Sequence, residues 1–75
     1  MSKIVLRKLD TERIVTWDGQ GPVTVYWSCI DVTEEISRER IPSFAVACFA
    51  QGFAIVLEES DIPDELMHEL ALESL

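Results

Sequence analysis

The first half of the chain alternates apolar and polar positions with a period of two, the spacing of strands that bury one face. Residues 3–9 (KIVLRKL) and 13–17 (RIVTW) have the β-branched content of strands, with Asp10, Thr11 and Glu12 as the turn between them. Asp18-Gly19-Gln20-Gly21-Pro22 reads as a loop, because glycine permits positive φ and Pro22 has no amide to donate. Residues 23–32 (VTVYWSCIDV) make the most regular strand pattern of all. Val23, Val25, Trp27 and Cys29 point one way along it, and Thr24, Tyr26, Ser28 and Ile30 the other.

The pattern then changes. Residues 33–40 (TEEISRER) predict a short helix, with Thr33 as cap, Glu34 and Glu35 at its positive end and Arg38 and Arg40 at its negative end. Pro42 is expected to end it. Residues 43–59 fit two periods. Read as a hairpin, Phe44, Val46 and Cys48 alternate with Ala45 and Ala47, and the chain turns at Gln51-Gly52. Read as one buried helix, they place Gly52 in mid-helix, at a cost of about 1 kcal/mol relative to alanine. The alternation favours the hairpin.

The C-terminal stretch has the plainest helical signals. Ser60 or Asp61 serves as cap, Pro63 falls in the first turn, and Asp64 and Glu65 complement the helix dipole. Pro63, Leu66, Met67, Leu70 and Ala71 then form one apolar stripe. The expected fold is a single small α+β domain spanning residues 1–75. Its sheet is antiparallel, of about five strands in the order β-β-β-α-β-β-α, with the C-terminal amphipathic helix packed on one face.

Composition limits what such a domain does. Hydrophobic residues make up 48% of the 75 and charged residues 27%, too apolar for a disordered tail. Burial of roughly 7,600 Å² supplies on the order of 115 kcal/mol, and ordering the chain costs about the same. A lone monomer is therefore marginal, and chains of this size commonly add a disulfide, a metal or a partner. Residues 1–10 lack the features of a secretory signal, so Cys29 and Cys48 are expected as reduced thiols in a cytoplasmic protein. Residues 41–57 carry no formal charge, but Pro42, Ser43, Gln51 and Gly52 interrupt them, which argues against a membrane span. A partner remains.

Charge says what kind. Six Lys and Arg stand against fourteen Asp and Glu, a net charge of −8, which excludes direct nucleic-acid binding through phosphate contacts. Lys3, Arg7, Lys8 and Arg13 gather at one end of the sequence, and Glu58, Glu59, Asp61, Asp64, Glu65, Glu69 and Glu73 at the other. Glu65, Glu69 and Glu73 fall on one helical face, where like charges repel mildly. The candidate partner-binding surface is thus the acidic face of Glu58, Glu59, Asp61, Glu65, Glu69 and Glu73. A second candidate is the strand face of Thr24, Tyr26, Ser28 and Ile30, with Ile14 and Thr16 beside it, available to a partner or to another copy. Left uncovered by the helix expected at residues 33–40, that face becomes an interface.

Enzymatic chemistry finds no foothold. Cys29 and His68 as nucleophile and base have no supporting spacing, and a buried structural cysteine is the plainer reading. Glu65-Leu66-Met67-His68 holds one Glu-x-x-His, where di-metal bundles use two, so no metal and no cofactor is expected. Gly19-x-Gly21 leads into Pro22 and a strand, leaving no helix N-terminus for a phosphate. Trp17 and Trp27 are expected in the core. The sequence points to a non-enzymatic module that inhibits or adapts a larger basic protein, with phosphate imitation as its sharper form. A homo-oligomeric assembly protein is the alternative.

Overall fold

The computed structural model describes residues 2–19 and 21–73. Gln20 and the side chains of Ala71, Leu72 and Glu73 lie outside the described residues. Strands β1 (Ser2–Lys8) and β2 (Thr11–Trp17) form a hairpin, and β3 (Val23–Trp27) pairs with β2. β1 stops one residue before its expected end because Leu9 takes φ 55° in the turn and is 89% exposed. Side-chain alternation puts Ile4, Leu6, Val15, Trp17, Val23 and Val25 into one core. The strand pattern of residues 3–27 is thus realised almost as written.

Residues 32–36 differ from expectation. They are a strand, β4 (Val32–Ile36), and only residues 38–40 wind into a 3₁₀ turn. β3 ends at Trp27, short of Val32, because the chain reverses through Asp31 at φ 51°. Ser28 holds that turn to β2, its Oγ accepting the Glu12 amide at 2.7 Å and its own amide donating to Glu12 O at 3.0 Å. Val32 and Ile36 then lie opposite Trp27 and Val23. Pairing with β3 thus outweighs a helix-capping signal worth about 1 kcal/mol.

The hairpin expected at residues 43–59 is instead helix α1 (Ile41–Ala50) followed by a two-residue strand, β5 (Ala54–Ile55). Ile41, Ala45 and Cys48 are its buried positions, a helical spacing that coexists with the alternation seen in sequence. Pro42 begins the helix where it was expected to end one, since a first-turn amide has no partner to lose. Gly52, at φ 98°, lies just beyond the last turn. The Phe53 amide reaches back to Cys48 O at 3.0 Å and the Gly52 amide to Phe49 O at 3.0 Å, the paired bonds of a Schellman cap. Glycine does take the left-handed position, but to stop a helix.

β5 adds to the free side of β1, completing an antiparallel sheet of order β4-β3-β2-β1-β5. Residues 57–59 then bulge out as a 3₁₀ turn before Asp61 rejoins β1 at Lys3. Ser60 fills the gap. Its Oγ accepts the Val5 amide at 3.0 Å and donates to Val56 O at 2.7 Å. Ser60 therefore serves the sheet and does not cap the last helix, and the backbone of Asp61 is likewise committed to Lys3.

Helix α2 (Asp64–Glu73) packs beside α1, with Leu70 buried and Leu66 and Ile62 against the same core. Met67, expected in the apolar stripe, is 40% exposed. The fold is α+β as expected, with both helices on one face of the sheet and, among the described residues, none on the other. No helix among them is long and apolar enough to cross a membrane.

Ser60→Ala should lower stability by about 1–3 kcal/mol, because the amide of Val5, itself 2% exposed, loses its acceptor. Urea unfolding followed by tryptophan fluorescence reads this as a lower midpoint with an unchanged slope.

Candidate interaction surfaces

The cations of β1 and β2 are largely used within the chain. Arg7 pairs with Glu12 across the hairpin and with Glu59 at 2.9 Å, tying the 3₁₀ turn to the sheet. Those carboxylates, Glu12 first, hold its guanidinium above the ordinary arginine pKa. Lys8 Nζ donates to Gln51 O at 2.6 Å, a cation at the negative end of α1. Arg38 donates to Gly19 O at 3.2 Å.

The acids of the second half are left facing water. Glu58, Glu59, Asp61, Asp64, Glu65 and Glu69 are all exposed, and of these only Glu59 forms an ion pair among the described residues. Glu65 and Glu69 stand one turn apart on α2, about 6 Å along its axis. Together they rim a groove of about 290 Å³ whose far wall is Trp17, Arg38 and Ile41. Glu58 and Glu59 sit on the 3₁₀ turn before α2, where Glu59 reaches Arg7 of β1, so the acidic residues are carried by two elements with Asp61 between them. Glu73 belongs to the same helix, with its side chain outside the described residues.

The strand face is only partly as expected. Cross-strand register places Val5, Ile14, Tyr26 and Thr33 in one row, and Lys3, Thr16, Thr24 and Glu35 in the next. Thr16 and Thr24 share a hydroxyl hydrogen bond of 2.8 Å. Tyr26 donates to Asp31 Oδ1 at 2.8 Å, and this bond to a charged acceptor holds its hydroxyl above the ordinary tyrosine pKa. No helix covers the face, because residues 32–36 widen the sheet. Ser28 and Ile30, expected on the same strand face, lie in the β3–β4 turn, where Ser28 serves Glu12 and Ile30 is 61% exposed.

Arg13 shares the core-side face with Val15 and Trp17, and its guanidinium lies between two rings, 4.2 Å from Trp27 and 4.3 Å from Phe53. Nη1 donates to Cys48 Sγ at 3.2 Å and Nη2 to Gln51 Oε1 at 3.0 Å, while the buried Nε has no partner. The alternation that sends Val15 and Trp17 inward sends Arg13 inward too, so the signal was present in the strand period. Trp17 is buried as expected, whereas Trp27 lies at the margin of the core, edge-on to Phe44 at 6.0 Å, with Nε1 donating to Glu34 at 3.1 Å.

The two cysteines part company. Cys48 is buried, and desolvation pushes its thiol above the ordinary range against a weaker opposite pull from Arg13. Cys29 is exposed in the β3–β4 turn and His68 is exposed on α2, and no hydrogen bond joins them. Among the described residues no three metal-ligating side chains come together.

Thiol titration with an aromatic disulfide should therefore modify Cys29 in the folded protein and leave Cys48 untouched. Addition of denaturant should release the second equivalent, and Cys29→Ser should abolish the first.

Comparison with protein-family models, with curated proteins and with solved structures gives no match for this chain.

Proposed function

We propose that this protein is a non-enzymatic binding module that docks stoichiometrically on the basic surface of a larger protein and inhibits or adapts it. One observation carries the reading. The carboxylates of Glu58, Asp61, Asp64, Glu65 and Glu69 are exposed and form no ion pair among the described residues. Uncompensated charge on this scale, within a net charge of −8, costs self-repulsion and confers fast, salt-sensitive association with cations. In the sharper form, the partner surface is one that otherwise holds nucleic acid, and the carboxylates take the place of phosphates.

The test compares the wild-type chain with a variant carrying Glu58→Gln, Glu65→Gln and Glu69→Gln, each immobilised and exposed to a cell lysate over a salt series. A specific basic partner, identified by mass and then purified, should bind the variant at least about tenfold more weakly than the wild type. Its wild-type affinity should fall as salt rises, and duplex DNA should compete for it. Undiminished affinity for the variant would overturn the reading.

The uncovered sheet face supports a second reading, association with further copies through Ile14, Thr24 and Tyr26. Sedimentation over a micromolar concentration series should then show a dimer or higher species that Tyr26→Lys dissociates. A monomer throughout removes this alternative and leaves the first.

A further inference from the structure

Strand β4 stands at the end of the sheet, bonded to β3 on one side and, among the described residues, to nothing on the other. Alternate residues of Val32–Ile36 therefore turn backbone N–H and C=O groups outward, a ready template for another strand. A groove of about 590 Å³ opens beside this edge, between β4 and α1. Its walls are Trp27 and Phe44, braced edge to face at 82°, together with Ile36 and Ala47. Such a volume falls within the roughly 300–1,000 Å³ of clefts that enclose ligands.

We infer that β4 and this groove form a docking site for an extended basic segment of a partner protein, which adds to the sheet as a sixth strand. Register supplies the specificity. Val32, Glu34 and Ile36 lie opposite Trp27, Val25 and Val23 and so share the core-side face that borders the groove. An incoming strand must present apolar, basic and apolar side chains at alternate positions to meet them. Glu34 is exposed and accepts only the Trp27 indole N–H, which leaves carboxylate acceptor capacity for a lysine or arginine. Arg13 and Arg40 are the cations of the same groove, Arg13 held between Trp27 and Phe53 and bonded to Cys48 and Gln51, and Glu34 is the acid at the centre of the strand edge itself.

Charge also selects against a second copy as the occupant. Antiparallel self-pairing over the whole of Val32–Ile36 sets Glu34 against Glu34, and like charges directly opposite are destabilising. The site extends the protein-binding reading to a second surface, along the β4 edge of the sheet.

The test uses isotope-labelled full-length protein and two blocked heptapeptides, Thr-Val-Thr-Lys-Thr-Ile-Thr and the same peptide with glutamate in place of lysine. The lysine peptide at low-millimolar concentration should shift amide resonances of residues 32–36 and slow their hydrogen exchange. It should bind about fivefold or more tightly than the glutamate peptide. Glu34→Lys should invert that order, and Glu34→Gln, which keeps an acceptor for Trp27, should level it. The variant lacking the charges of Glu58, Glu65 and Glu69 should bind the lysine peptide as the wild type does. Absence of shifts, or equal affinity for both peptides, would overturn the inference. Shifts confined to residues 58–69 would also overturn it while leaving the acidic-surface reading intact.

Discussion

The left-handed backbone at Gly52 governs how the second half of the chain meets the first. Residues 41–57 carry no charge, and the helix they begin runs only to Ala50. The stop comes from the backbone, where φ 98° lets the Phe53 and Gly52 amides turn back onto Cys48 and Phe49. Phe53 is thereby dropped into the core and Ala54–Ile55 onto the free side of β1. A side chain at Gly52 would meet Lys8 at 3.3 Å in a conformation that L residues rarely adopt. The fifth strand, the serine-patched bulge at residues 57–60 and the placement of α2 all follow from that one turn.

With both helices committed to one face, the molecule has a single-sided core. Its β4 edge and its acidic segment remain open to solvent, and on its other face Ile14, Thr24 and Tyr26 are half-buried while Val5 is buried. These are connected consequences of size, since a chain this short has too few residues to cover a five-stranded sheet twice. Two of its cations are spent internally, Arg7 across a hairpin and Arg13 between two rings, and the outer charge that remains is mostly negative. Arg13 illustrates the compromise. Stacked on Trp27 and Phe53, it packs like an apolar residue through its flat guanidinium while leaving its Nε without a partner.

The first three strands and the last helix were legible in sequence because their signals are local and agree with their packing. Ile4, Leu6, Val15, Val23 and Val25 are buried where alternation puts them. Tyr26, Thr24, Thr16 and Ile14 share the opposite face, as the same alternation requires. In the middle of the chain, local and non-local signals disagree. Thr33-Glu34-Glu35 resembles a helix start, yet each of these residues has a β3 partner in register. Phe44, Val46 and Cys48 alternate like a strand, yet Ile41, Ala45 and Cys48 keep helical spacing, and these three are the buried positions, with Phe44 packed at the margin of the core.

Residue order alone therefore determined the first three strands, the antiparallel α+β class, the C-terminal helix and the separation of charge along the chain. Tertiary structure alone decided which middle segment became helix and which became strand, because that choice depends on pairing with residues distant in sequence. It likewise decided that Ser60 accepts a strand amide from Val5, that Glu59 pairs with Arg7, and that Glu34 borders a groove. Periodicity reports which side of an element faces inward. It carries no information on which neighbour is waiting there, and the functional surfaces of this protein are made of such neighbours.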